Sequence, residues 1–287
     1  MERLQQTIAK EISFSGIGLH SGKEVNLKLK PARENHGIKF VRTDLQNSPA
    51  ISAIFQRVVD TSLATVLGND GAIVSTIEHL MASLAGLGID NIIVEMDSYE
   101  VPIMDGSAAE FTSFINKAGI EKQNEPKYFF VVKKEIKISE DGKSVHIEPA
   151  SELRITCTID FNHPLLKKQT FSIDINKDTF EKEISRARTF GFIQEIDYLK
   201  RYGLAKGGSL DNAIVIDKET ILNEGGLRYE NEFVRHKILD CIGDFSLLGM
   251  PIIGHINIFK SGHAFHHAFL KEFFEKKSHW ETKTMPE

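Results

Sequence analysis

Cys157 and Cys241 are the only thiols in 287 residues, and that scarcity excludes a four-cysteine metal centre and any network of disulfides. Both fall at apolar-periodic positions, which predicts buried, reduced thiols. Also missing is any run of about eighteen apolar residues, the length a spanning helix needs. The N-terminus, MERLQQTIAKEISFSG, lacks an apolar core of signal-peptide length. A cytoplasmic protein with no transmembrane segment is therefore expected. Nor do Lys and Arg gather densely anywhere: 35 basic against 40 acidic residues leave a formal charge of −5, which argues against a nucleic-acid partner.

What is present is material for a core, since 41% of the residues are hydrophobic and the length suits one large domain or two ordinary ones. Alternation predicts strands in EVNLKLKPA, with Val25, Leu27 and Leu29 on one face, and in LRITCTIDF, with Leu153, Ile155, Cys157 and Ile159. Helices are predicted over 75–85, 105–118, 178–186, 230–248 and 264–277, and short buried strands in IDNIIVEM, NAIVID and IIGHINIF. Two echoes suggest duplication: GIDNIIVEM (88–96) returns as SLDNAIVID (209–217), and GKEVNLKLKPA (22–32) as GKSVHIEPA (142–150). A chance match of one short strand is the competing account. In each half strands precede helix, strand, helix, so the expectation is α+β, with domains 1–122 and 128–287 and a linker at 123–127 within the polar stretch EKQNEPK.

Two helices carry reactive groups. Along 75–85 the core stripe is Ile77, Leu80, Met81 and Leu84, while Glu78, His79, Ala82 and Ser83 occupy the flanks and back. Ser75 with Glu78 has the form of a helix-capping box. The small, uncharged back of the helix points instead to another layer packed against it, with Glu78 as a base beside a ligand histidine. Along 230–248, Val234, Ile238, Cys241, Phe245 and Leu248 make an apolar face, and His236, Asp240 and Asp244 recur at i, i+4, i+8 on the other. A solvated polar stripe is one account. A cation site is the other, since a His and a carboxylate one turn apart can reach one ion. Gly243 weakens the helix and suggests a close approach. Taken with His79, the set becomes two histidines and a carboxylate, the shell of a catalytic metal with one position left open. Lys237 projects near Asp240 and Asp244. His263 stands at a strand-to-helix junction, either as a surface histidine or as a proton donor paired with Asp244, and His266 and His267 follow it.

The blocks SGIGLHSGK (15–23), STIEHLMASLAGLGIDN (75–91), PIMDGSAAEF (102–111), IDFNHP (159–164), SRARTFGF (185–192), GGSLDNAIV (207–215), FVRHKILDCIGD (233–244) and KSGHAFHH (260–267) cover nearly the whole chain. Together they resemble the UDP-3-O-acyl-N-acetylglucosamine deacetylases, zinc hydrolases of the committed step of lipid A synthesis in Gram-negative bacteria. That resemblance implies two similar α+β domains, each a mixed β-sheet packed on helices, with the helices sandwiched between the sheets. It implies Zn2+, with iron(II) as an alternative, on His79, His236 and Asp240. Glu78 would be the general base, His263 the general acid supported by Asp244, and Thr189 and Lys237 the groups that stabilise an oxyanion. It further implies an insert near 190–215 forming a passage for the acyl chain, with Phe190, Ile193, Ile196, Gly208, Leu210 and Val215 along it, and Lys143, Phe161 and Lys260 near the UDP. Strand alternation, by contrast, puts Phe161 on a core face. The expected partner is a small-molecule substrate, and the chain is expected to act as a monomer. Where many relatives have a cysteine, this chain has Ala64, and Phe-His-His replaces their Asn-rich stretch after His263. Another zinc amidohydrolase of acylated sugars, or a non-catalytic metal or nucleotide-sugar binding protein, remains the alternative reading.

Overall fold

The structure, a computed structural model, describes residues 2–284. The first half runs β1 (Leu4–Ile8), β2 (Ile12–Ile17), β3 (Glu24–Pro31), β4 (Ile38–Arg42) and β5 (Ala50–Ser52). A short meander follows, β6 (Val58–Asp60), β7 (Val66–Asn69) and β8 (Ala72–Val74), then α1 (Glu78–Gly86), β9 (Ile92–Met96), α2 (Ala109–Ala118) and β10 (Ile120–Pro126). The second half runs β11 (Tyr128–Val132), β12 (Ile136–Glu140), β13 (Lys143–Glu148), β14 (Leu153–Asp160), β15 (Lys168–Asp174) and a helical turn, α3 (Lys177–Thr179). It continues through β16 (Phe190–Phe192), α4 (Ile193–Arg201), β17 (Ile214–Ile216), α5 (Glu232–Ser246), β18 (Ile252–Phe259), α6 (His263–Glu275) and β19 (Trp280–Thr284).

The two main sheets repeat one topology. In the first, β2 is antiparallel to β3, β3 antiparallel to β9, β9 parallel to β4, and β4 antiparallel to β5. In the second, β12, β13, β18, β14 and β15 take the same five places with the same directions. The counterpart of 88–96 is therefore β18, not the echo at 209–217. That echo forms β17, which pairs in parallel with β16 in a separate two-stranded ribbon. A buried strand of either kind wants the same Ile and Val run, so composition alone could not tell them apart. The GKEVNLKLKPA and GKSVHIEPA pair, β3 and β13, does occupy equivalent positions.

Burial follows the alternation. Val25, Leu27 and Leu29 on β3, and Ile155, Cys157 and Ile159 on β14, are all at most 4% exposed. Helices α1 and α5 pack on each other in the middle, with α2 against α1 and α6 against α5, so the helices lie between the sheets in an α+β sandwich. Of the two accounts of the polar stripe on α5, the solvated one does not hold: His236, Asp240 and Asp244 are buried along with the apolar face.

Several boundaries differ from expectation for local reasons. Helix α1 starts at Glu78 rather than 75 and makes no capping box, because Ser75 N–H donates to the Tyr99 carbonyl and the Ser75 carbonyl accepts from Val101. Helix α2 starts at Ala109 rather than 105, since Asp105 accepts from both the backbone and the hydroxyl of Ser107. The helix predicted over 178–186 is α3 followed by a π-helical turn, Phe180–Ile184, whose Phe180 ring lies where a side chain at Gly86 of α1 would stand. Most of the predicted linker is strand β10, antiparallel to β1.

Candidate active site

The crossing of α1 and α5 creates the site. A Cβ on Gly243 would run into the backbone carbonyl of Glu78, so glycine is what lets α5 approach the first turn of α1 closely enough for side chains of both to converge. Glu78, His79, His236, Asp240 and Asp244 are each at most 5% exposed. His236 Nε2 lies 3.2 Å and His79 Nε2 3.6 Å from the same oxygen, Asp240 Oδ1, and the two rings meet edge to face with centroids 4.9 Å apart. Donor atoms about 2.0–2.2 Å from one tetrahedral ion stand roughly 3.3–3.6 Å from each other, so this spacing suits a divalent cation.

Their chemistry suits one as well. The Ala187 carbonyl lies 3.0 Å from His236 Nδ1, which places the proton there and leaves Nε2 its lone pair. Burial pulls the His236 pKa down to about 3, so the ring is neutral, as a ligand must be. Asp240 is buried too, which alone would favour its acid form, but His236 and Lys237 hold it well below the usual carboxylate range. Lys237 Nζ donates to Asp240 Oδ2 at 2.8 Å, with a quarter of its side chain exposed. His79 Nδ1 is buried without a hydrogen-bond partner. Two imidazole nitrogens and a carboxylate form a donor set for zinc or another borderline cation.

Beside this triad lies a second cluster. Burial raises the pKa of Glu78, against the opposing attraction of His263 and His79, and its Oε2 accepts the Thr65 N–H at 3.1 Å. Asp244 accepts from the Thr65 hydroxyl on Oδ1 at 2.6 Å. Its Oδ2 takes two imidazoles, His263 Nδ1 at 2.8 Å and His266 Nδ1 at 2.7 Å. Burial and the helix N-terminus both disfavour a charged His263, yet Asp244, with Glu78 and Asp240, pushes its pKa up to about 10. Asp244 is correspondingly depressed despite its burial. The expected pairing of Asp244 with His263 is present. Sequence reasoning gives Thr65 no place in the site and leaves His266 only as a rival to His263 for the acid role; the signals are the block DTSLAT and the three-residue spacing of His263 and His266 on one helix face.

Other predicted positions lie around this centre. Thr189 is two residues beyond Ala187, on backbone tied to Gly106 and Ile214. The Phe190 ring packs on Phe233, Phe161 and His236 and beneath Lys237 Nζ. Ile193 opens α4, and Ile196 on the same helix folds back over Gly191, which pairs with the buried Val215. Gly208 stands against Ala205 and Leu19, and Leu210 is 47% exposed. Helix α4 itself was not predicted. Phe161 follows the end of β14 at Asp160, and its half-buried ring packs at the margin of the core, against Phe190 and Phe192. Ser144 pairs with Phe259, which brings exposed Lys143 and Lys260 to the same sheet end, where Lys260 bonds Asp160 at 2.7 Å. Glu100, also unpredicted, is 1% exposed and accepts the N–H groups of His20 and Ser21 at 2.7 and 2.8 Å. It thereby fixes the loop whose Leu19 carbonyl receives the Gly207 N–H.

Fold and site together define a metal-dependent hydrolase. The family model described as LpxC, UDP-3-O-acyl N-acetylglycosamine deacetylase, matches residues 5–275, and the chain belongs to that family. A UDP-3-O-acyl-N-acetylglucosamine deacetylase of Myxococcus xanthus is 53% identical over 277 residues, covering 96% of this chain and 88% of its own. One of Syntrophus aciditrophicus is 45% identical over 278 residues, covering 97% and 88%. Another, from Chromohalobacter salexigens, is 49% identical over 282 residues, covering 98% and 93%.

Proposed function

We propose that the protein removes the acetyl group from the amide nitrogen of a UDP-3-O-acyl-N-acetylglucosamine, releasing acetate and the free amine for lipid A synthesis, with His79, His236 and Asp240 holding zinc. The observation that carries this reading is the convergence of two imidazole nitrogens and one carboxylate oxygen from α1 and α5, flanked by Glu78 and by a His263 whose proton is secured by Asp244. Bound on these donors, zinc or iron(II) would supply a Lewis acid for the acetamide carbonyl and would make water acidic enough to react near neutral pH.

The protein groups divide the remaining work. Glu78 takes the proton from the attacking water, and burial, which raises its pKa above the usual glutamate value, makes it a stronger base than an exposed carboxylate. Negative charge that develops on the carbonyl oxygen is met by Lys237, with Thr189 as a hydroxyl donor. As the carbon–nitrogen bond breaks, His263 delivers its Nε2 proton to the departing amine. Phe190, Ile193, Ile196, Gly208, Leu210 and Val215 receive the acyl chain, and Lys143, Phe161 and Lys260 the nucleotide; the clustered aromatic rings and the two lysines at one sheet end support this. In this reading 1–122 contributes Glu78 and His79, and 128–287 the rest, so one chain suffices and the enzyme works as a monomer. A nucleotide-sugar substrate places it in the cytoplasm. The test is metal content measured with acetate release: wild type should retain about one zinc per chain and deacetylate the substrate, whereas His79→Ala should lose both.

A further inference from the structure

His266 has no part in the reaction as derived so far, yet its surroundings are not those of a packing residue. It is 1% exposed on α6, one helical turn beyond His263, with Phe245 against its ring at 5.6 Å between centroids. Its Nδ1 reaches Asp244 Oδ2 at 2.7 Å, the oxygen that His263 Nδ1 reaches at 2.8 Å. An ionised carboxylate only accepts, so both nitrogens carry hydrogens, and Oδ2 has a donor for each lone pair. His266 Nε2 is buried with no partner. Burying a bare polar atom costs free energy that a phenylalanine or leucine in this apolar pocket would avoid. Its Nδ1–H, directed at Asp244, is what offsets that cost.

We propose that His266 is a positioning residue: as a neutral imidazole it shares the Asp244 oxygen that orients His263 and thereby limits how firmly Asp244 holds the His263 proton. Both rings reach the one oxygen Asp244 Oδ2, and a second imidazolium there would set two like charges side by side in a buried cluster, which leaves the charge on His263. Each N–H donated to Oδ2 draws off part of the negative charge that His263 feels. Without His266, Asp244 would hold His263 more tightly, and the acid would part with its proton less readily. The other groups facing this pair stay in place whichever residue occupies 266. They are Asp240 and Lys237 from α5, Glu78 from α1 with His79 beside it, the Thr65 hydroxyl, and His267 on α6 with Lys271 beside it.

The experiment uses the full-length, metal-loaded protein as wild type, His266→Phe and His266→Asn. Asparagine keeps an N–H donor at the reach of imidazole Nδ1; phenylalanine keeps only volume. Ring-nitrogen NMR titration of His263 and the pH profile of kcat/KM are both read. His266→Phe should move the His263 titration and the basic limb upward by about half a pH unit or more, with kcat reduced several-fold and KM nearly unchanged, and His266→Asn should restore all three. Unshifted limbs in His266→Phe, or an asparagine variant that behaves like phenylalanine, would overturn the proposal. Should His266→Phe not fold, the wild-type spectrum decides: protonated Nε2 on His266 at neutral pH rules the proposal out, and an unprotonated Nε2 supports it. The kinetic arm rests on His263 being the acid, whereas the titration arm does not. A shifted His263 titration with unshifted kinetics would reject the acid assignment and leave the coupling standing.

Discussion

At the scale of single residues the site separates groups by environment. Glu78 and Asp244 are both buried carboxylates, but Asp244 takes three hydrogen-bond donors and is depressed, while Glu78 takes one backbone N–H and is raised. Such divergence between neighbouring carboxyls marks a division of roles, the carboxylate with more hydrogen-bond donors staying ionised and the other free to exchange a proton. Glu78→Ala should therefore keep its metal, because Glu78 is not among the converging ligand atoms, and should lower kcat by roughly a hundred- to ten-thousand-fold. Metal analysis alongside steady-state kinetics checks this, and loss of metal together with rate would put Glu78 among the ligands instead.

At the scale of elements, what matters is how closely α1 and α5 approach. Alanine at Gly243 gains about 1 kcal/mol in helix propensity, but its methyl would meet the Glu78 backbone, which cannot swing aside as a side chain could. The contact should win, with Gly243→Ala net destabilising by about 1–3 kcal/mol and binding metal more weakly. Urea unfolding and a metal titration measure the two; a more stable variant would show that the crossing tolerates a wider gap. Much of this was legible in the sequence because heptad-like spacing fixes a helix face: His236, Asp240 and Asp244 had to point together, and the small back of α1 had to meet a partner. Other parts were not legible. The Ser75–Glu78 spacing of a capping box is equally that of a strand bridge followed by a helix, and only the pairing with Tyr99 and Val101 decides. Helix α4 carries Ile193, Ile196 and Leu199 at helical spacing, but the stripe is short and none of it is fully buried, so in the sequence it reads equally as an apolar insert.

At the scale of the whole molecule, the buried cluster links fold to pH. His263 is held at about 10, above its ordinary 6.5, so its contribution to stability is complete below pH 6.5 and disappears as pH rises through about 10. Asp244 is lowered from 3.8, so its contribution is complete above that value and is lost as pH falls through the depressed one. Metal-free protein should accordingly lose thermal stability between about pH 6.5 and 10, and His263→Ala should flatten that decline; melting curves across the range, unchanged by the substitution, would argue against the pairing. The glycine crossing also has a consequence for synthesis. The first turn of α1 leaves the ribosome about 160 residues ahead of Gly243, a gap of roughly 8–32 s at 5–20 residues per second. For that interval a half-built sandwich exposes the face of α1 meant for α5, with Glu78, His79 and small Ala82 and Ser83 on it. A nascent chain in this state offers a chaperone something to hold and a protease something to cut, so the amount of active enzyme a cell obtains depends on how that unfinished surface is sheltered until translation supplies its lid.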